Sequence, residues 1–336
     1  MKIFIIGATG LLGSEAAKQF IAKGHEVSGL SLPGIPKDSD IPKEMKLIFG
    51  NFMEMIDQDL VDLLSGHDYL VFAAGVDERV EKPAPIFDFY KKYNIDTTKR
   101  ILELAKAAKV KGAVVLGSYF AYLNRIKPEM KLTEYHPYIR SRVIQSDVAL
   151  SFADEKFSVA VLELPYIFGI QKGRKPVWTI LIERLIKMKR SILYPSGGSA
   201  MITVKQAGEA IVGATLSNKG GNTYPIGFYN LTWKEMIEIM KPVLKMEHQK
   251  VKTVPKWLFN IGMYFESRKA IKKNIEHGLN LKYFADLQYT HLNIEKELAS
   301  IKLGVTPDDI IKAIQDSTEQ SLEAIKHQQM IDMKYE

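Results

Sequence analysis

Short apolar runs alternate with helical stretches through the first half of the chain. Ile3–Ile6 is an unbroken apolar run ending on Gly7, the pattern of a strand buried on both faces. Residues 11–23 follow as a helix, and Lys23-Gly24-His25 closes it with glycine in the C-terminal position. Glu26–Leu30, Lys46–Phe49, Tyr69–Ala74, Ala113–Gly117 and Ser158–Leu164 read as further strands, with helices over 56–65, 86–109 and 138–155 between the later ones. This alternation predicts an α/β fold: a doubly wound parallel sheet, covered by helices on both faces and joined by right-handed crossovers.

The pattern changes after Leu164-Pro165. From there the chain reads as mainly helical, over 177–190, 204–217, 232–246, 256–277 and 306–327, with short extended pieces at Ala200–Val204 and Thr223–Ile226. Two domains are expected, 1–165 and a smaller one over 166–336, with parts of 200–230 packing back on the first. No internal repeat and no Pro/Gly/Ser linker separates them, so close packing of the halves is expected.

Composition narrows the class. The 336 residues, 46% apolar and 25% charged, are those of an ordinary globular protein. The absence of cysteine excludes disulfide scaffolds, thiolate metal sites and Cys nucleophiles. No stretch reaches the length of a spanning helix and the N-terminal run is too short for a signal peptide, so a cytoplasmic location is expected. The net charge of +7 favours anionic partners, which phosphorylated small molecules satisfy. The basic clusters at Lys172/Arg174/Lys175, Arg184–Arg190 and Arg268–Lys273 come with no nucleic-acid-binding motif and read as solvated faces. The seven histidines show no metal-ligand spacing, so no metal site is expected.

The strongest chemical signal is Gly7-Ala8-Thr9-Gly10-Leu11-Leu12-Gly13, between the first strand and the first helix. One glycine makes the tight turn, one lets the backbone approach a pyrophosphate, and one lets helix and strand pack closely. The helix N-terminus offers unpaired N–H groups and a positive dipole end to phosphates. The context is that of a dinucleotide-binding loop.

These residues resemble the fingerprint of the short-chain dehydrogenase/reductase superfamily, in its extended branch of epimerases, dehydratases and reductases. Other segments fall in family order. Gly50-Asn51-Phe52 stands where the family meets adenine, and Phe72-Ala73-Ala74-Gly75 matches the small-residue loop under the cofactor. Asn94 matches the Asn opening the next helix. Val114–Ser118 resembles the strand ending in the catalytic serine, with Tyr122 in the place of that motif's trailing Tyr, and Glu163–Gly169, with Pro165, resembles the entry to the substrate domain. The resemblance implies a Rossmann-type domain, a pyridine dinucleotide held by Gly7, Thr9, Gly10, Leu11, Leu12, Gly13, Ser31, Asn51, Phe52, Ala73, Ala74, Gly75, Asn94 and Pro165, and a small-molecule substrate. It also implies a possible homodimer through the helices 86–109 and 138–155.

Cofactor choice turns on the end of the second strand, where an acid suits NAD and a cation suits NADP. That position falls on Ser31, with Lys37 in the next loop. A serine can hydrogen-bond a 2′-phosphate without repelling it, which leans the reading to NADP over NAD; a plain loop serine is the alternative.

The catalytic set departs from the family. The chemistry needs a tyrosine whose proton is made mobile by a lysine one helical turn on, and none of the fifteen tyrosines has Lys at that spacing. Two have Arg there, Tyr138 with Arg142 and Tyr264 with Arg268, and only Tyr138 lies in the right order, twenty residues after Ser118 and just behind Pro137. Tyr138 is therefore the expected acid/base, Arg142 the expected ribose and charge partner, and Ser118 the group that orients the substrate oxygen; Tyr119 is a rival occupant in that register. Arginine keeps its charge but relays no proton. Nucleotide-sugar members carry Asn at the position of Tyr166 and commonly Arg at Glu163. Their absence points to reductases acting on less charged carbonyls or alcohols.

His136, at the mouth of the site, reads as a helix-start residue, and Asp57, Asp59 and Asp62 suit a helix dipole. The aromatic run from Pro255 to Phe265 is expected in a core or dimer contact, with membrane contact the lesser alternative. Two functions stay open: an NAD(P)-dependent oxidoreductase or epimerase/dehydratase, and a catalytically impaired NAD(P)-binding sensor of the same fold.

Overall fold

Seven parallel strands form the central sheet, in the spatial order Gly221–Pro225, Ser158–Leu164, Gly112–Ser118, Tyr69–Phe72, Lys2–Ile6, Glu26–Ser31 and Lys46–Phe49. The computed structural model describes residues 1–35, 39–327 and 330. The alternation of side chains across the pleat gives each strand two cores. Ile3 and Ile5 face Ala16, Ala17 and Phe20 of the helix Leu11–Ala22 and Ala207, Ala210 and Ile211 of the helix Val204–Ser217. Phe4 and Ile6 face Leu60, Leu64, Ile101 and Leu102 on the other side. That double burial is why the central runs Ile3–Ile6 and Leu70–Phe72 are apolar at every position instead of every second one.

Chain order reverses between Lys2–Ile6 and Tyr69–Phe72, the switch point where open α/β sheets bind ligands beyond the strand C-termini. The C-terminal half also returns to this sheet. Gly221–Pro225 pairs with Ser158–Leu164, and Val204–Ser217, started by a Thr203–Gln206 capping box, packs against the first helix. Tyr166–Phe168, Gly198–Thr203, Tyr229–Thr232 and His291–Leu292 make a second, small sheet.

Several elements differ from the sequence reading. The helix expected over 86–109 is interrupted by a π-helical segment, Lys91–Asp96, a local widening often found at functional sites. The helix expected over 256–277 ends at Lys272; Asn274 turns with φ 53°, and Ile275–His277 pairs with Glu81–Pro83 as a strand. Asparagine tolerates that left-handed conformation. An unexpected helix, Tyr119–Ile126, follows Ser118 directly, with the serine hydroxyl accepting the Phe120 N–H. Among the described residues no helix is long and apolar enough to cross a membrane.

One ion pair, its carboxylate buried and its guanidinium partly exposed, ties that helix to the sheet. Glu163, fully buried, takes both terminal nitrogens of Arg125 at 2.7 Å. Removing the guanidinium leaves a buried carboxyl that burial already pushes above the usual range. Arg125→Ala is expected to cost about 3 kcal/mol in urea unfolding at neutral pH. The cost should shrink on acidification, because a protonated Glu163 needs no cation.

Candidate active site

The loop after the first strand is shaped by two close approaches. Gly7, at φ 86°, lies against the Ala73 carbonyl, which a Cβ would meet at 2.6 Å; a Cβ on Gly13 would lie 2.2 Å from the Gly7 carbonyl. The first helix therefore sits directly on the strand end. Its N-cap, Gly10, offers no side-chain acceptor, so the N–H groups of Leu11, Leu12 and Gly13 are those a first turn leaves unsatisfied.

Two cavities, of about 370 and about 410 Å³, open on either side of this loop and share Gly10, Ala73, Ala74, Gly75 and Arg174 in their walls. Together they form one long cleft at the sheet's switch point. Gly7, Thr9, Ser31, Asn51 and Phe52 line the larger cavity, and Leu11, Leu12, Gly13, Ser118, Tyr138, Arg142 and Pro165 the other. Asn94 lies outside both walls. Fully buried, it accepts the Val76 N–H at 2.9 Å and donates to the Val76 carbonyl and Ser141, bracing the loop that carries Gly75. Asn51 uses its side chain locally, donating to Glu54 and accepting the Met53 N–H.

Ser31 does not stand free at the end of its strand; its hydroxyl accepts the Thr9 N–H at 2.9 Å. The described residues of the following turn, 32–35 and 39–40, carry no cation. Lys37 lies outside the described residues.

Tyr138 begins the helix Pro137–Leu150. Its N–H donates to the Gly278 carbonyl at 3.0 Å, and His136 Nδ1 accepts the Asn280 N–H. The segment 278–280 thus clamps the helix start. His136 is buried, with its pKa lowered to about 4 by burial, and has a structural place, off the cavity walls.

The Tyr138 ring lies edge-on to Tyr90 and Phe120. Its hydroxyl accepts Arg142 Nε–H at 3.2 Å. Burial raises its pKa; Arg142 opposes that, Glu78 adds to it, and Ser118 is close enough to weigh on it. The phenol therefore keeps its proton. The rest of the Arg142 guanidinium is held by protein: Nη1 donates to Gln145 at 2.8 Å and the Leu116 carbonyl at 3.5 Å, Nη2 to the Val76 carbonyl at 3.0 Å.

Several site residues escaped the sequence reading. Arg174, read there as part of a solvated cluster, instead reaches into the cleft and donates to the Thr9 carbonyl at 3.0 Å. Gln171 donates to the same carbonyl and to Ser14. Buried atoms of Arg174 (Nε), Gln171 (Oε1) and Gln320 (Oε1) have no hydrogen-bond partner among the described residues, and all three residues line the cleft. Unpaired polar atoms around a glycine loop are what a bound polar ligand would satisfy. Glu78 and the Asp77–Arg79 pair also line the cleft, and burial raises the Glu78 pKa. The signal that could have exposed them is the charged triplet placed directly after the small-residue loop.

The outer wall is aromatic. Tyr166 contacts Tyr119, Trp178 and Trp233, and Trp178 stacks on Phe168 at 4.1 Å. Glu163, noted for its departure from the family, is turned away and consumed by Arg125.

Fold and cleft together define a nucleotide-binding α/β enzyme of the extended short-chain type. Residues 3–227 match the NAD dependent epimerase/dehydratase family, and the chain belongs to it. An uncharacterized protein of Saccharomyces cerevisiae, YLL056C, is 25% identical over 257 residues, 73% of this chain and 81% of that one. Among solved structures the chain is similar to gox2253, with 17% identity, a TM-score of 0.73 and coverage of 98% of this chain and 99% of that one. It is also similar to MoeE5, solved with UDP-glucose and NAD (16%, TM-score 0.64, coverage 97% and 100%). UDP-N-acetylglucosamine 4-epimerase from Bacillus cereus gives 13% and 0.62, with coverage of 95% and 98%. At these identities the structural likeness establishes the fold.

Proposed function

We propose that the protein is an NAD(H)-dependent oxidoreductase acting on the carbonyl or hydroxyl of an uncharged, largely apolar small molecule. The observation that carries this reading is the Tyr138 hydroxyl, held by Arg142 in an aromatic cavity that shares its wall with the glycine-loop cleft. The first-turn amides of residues 11–13 and the Arg174 guanidinium suit the diphosphate of a dinucleotide, and the small residues 73–75 suit the close passage of its rings. A bound nicotinamide would supply or accept the hydride.

The protein's own residues manage the proton. Because Arg142 donates to the Tyr138 oxygen, the phenolic O–H remains free to point at a substrate oxygen. Tyr138 gives that proton as negative charge develops on a carbonyl, and Arg142 steadies the phenolate left behind. Ser118, beside it, orients the same substrate oxygen. Tyr119, Tyr166 and Trp178 exclude water and favour ring or alkyl surface over a diphosphate.

The Ser31 hydroxyl is engaged by Thr9 and the described residues of the turn after it carry no cation, so these residues offer a 2′-phosphate no charged partner. We therefore read the cofactor as NAD(H), replacing the leaning to NADP. NADH should bind at least as tightly as NADPH in a fluorescence titration; a tenfold preference for NADPH would reverse this choice, and no binding of either would remove the whole reading.

One observation favours a second reading. Every nitrogen of Arg142 already has a protein partner, so the ribose contact implied by the resemblance competes with the fold. A cofactor-binding sensor without turnover fits that arrangement. Cofactor binding with no NADH oxidation across a panel of aldehydes and ketones would support it.

A further inference from the structure

The helix Lys256–Lys272 buries none of its residues. Phe259, Met263, Ser267 and Ala270, spaced to share one face, are its half-buried side, with Phe259 packed on Phe284 and Tyr289. The opposite face presents Trp257, Leu258, Ile261, Tyr264 and Phe265, which are 44–66% exposed. The expectation of a core contact for this run fails: its largest side chains point to solvent.

The charge around that face is one-sided. Between residues 250 and 273 there are seven lysines and arginines and one acid, Glu266, which accounts for nearly all of the molecule's formal +7. Lys256 and Lys269 are paired with Asp286 and Glu266; Arg268, Lys272 and Lys273 carry no ion pair among the described residues. Arg268 and Lys272 continue the apolar stripe along the same face of the helix. The second basic cluster joins them. Lys187, Lys189 and Arg190 are exposed and lead into Ser191–Tyr194, which pairs in parallel with Lys250–Thr253 just ahead of the helix. Two clusters some eighty residues apart in sequence thus lie on neighbouring elements, and Arg184 of the Arg184–Arg190 cluster is near enough to Glu266 of the helix to help hold its carboxyl below the usual range.

We propose that this helix docks the protein on an anionic membrane surface. The apolar stripe enters the boundary between headgroups and acyl chains, and the cations meet lipid phosphates. A second copy of the chain is a poor occupant, because a two-fold contact would oppose two like-charged patches. The docked helix is also wired to the site. Its C-terminal turn leads into Ile275–His277 and then to Gly278, whose carbonyl holds the Tyr138 amide.

The test uses the full chain with vesicles of phosphatidylcholine, alone or mixed with phosphatidylglycerol. Trp178 and Trp233 are buried and Trp257 is exposed, so a blue shift of emission on adding vesicles reports on Trp257. Co-sedimentation with the mixed vesicles is expected, with a blue shift, weakening with salt and at least about tenfold weaker on phosphatidylcholine alone. Leu258→Ser with Phe265→Ser should weaken binding about tenfold or more. Arg268→Glu with Lys272→Glu should do the same while leaving the apolar stripe intact. Both pairs lie on the surface and should leave the far-UV spectrum and melting temperature unchanged. No sedimentation with anionic vesicles at low salt, or binding indifferent to both pairs, would overturn the proposal. So would a stable dimer in solution that the Leu258/Phe265 pair dissociates.

Discussion

Tyr138→Phe is expected to lower turnover about 10²–10⁴-fold, the range for loss of a positioned general acid. It should leave NADH affinity nearly unchanged. The ring packs between Tyr90 and Phe120, and phenylalanine preserves those contacts, so the lost hydroxyl is what the rate would report. The measurement is steady-state NADH oxidation with any carbonyl that supports it, beside a binding titration. Unchanged turnover would remove Tyr138 from the chemistry.

The pH profile adds an independent readout. Burial holds the phenol above its ordinary pKa, so the acid form persists through neutral and mildly alkaline pH. Carbonyl reduction should accordingly stay flat there and fall only as pH rises through that raised value. Arg142→Lys tests the other half of the pair. Lysine cannot serve Tyr138, Gln145, Val76 and Leu116 together, and an unsatisfied buried group costs about 1–3 kcal/mol. Lower stability and slower turnover are expected. A gain in turnover would mean that the arginine had impaired an enzyme, in favour of the sensor reading.

Gly13→Ala carries the second large effect. Its Cβ would sit 2.2 Å from the Gly7 carbonyl and 3.0 Å from the Ala8 Cα; both are backbone, so the helix must move off the strand. Overpacking of this kind costs about 1–3 kcal/mol. Displacing a first-turn amide from a phosphate forfeits a charge-assisted hydrogen bond worth about 1.5–3 kcal/mol, roughly 10–100-fold in dinucleotide affinity. NADH fluorescence titration and a thermal melt measure the two parts. Gly262→Ala is the control, since its Cβ would meet open space and neither quantity should fall. Full affinity in Gly13→Ala would show that the cofactor does not rest on this helix start.

Much of the architecture was written in local pattern. Strands buried on both faces are apolar throughout and the glycine loop follows the first of them, so Lys2–Ile6, Gly7–Gly13 and the parallel strands up to Leu164 could be read along the chain, whereas their spatial order could not. The element that failed most clearly, 256–277, did so because an apolar run carries no mark of which face is covered. Nothing short of packing distinguishes Phe259, docked on Phe284, from Trp257, which meets solvent.

The chain alone determined the fold class, the glycine turn between the first strand and the first helix, and the one-turn spacing of Tyr138 and Arg142, because each depends on contacts near in sequence or on a spacing imposed by one helix. Tertiary structure alone decided how the polar groups are spent. It drew Arg174 across 165 residues to the Thr9 carbonyl, gave Glu163 to Arg125, bound Ser31 to Thr9 and enclosed Arg142 in carbonyls. A buried polar group takes whatever partner the fold brings within hydrogen-bond reach, and sequence separation does not encode that reach.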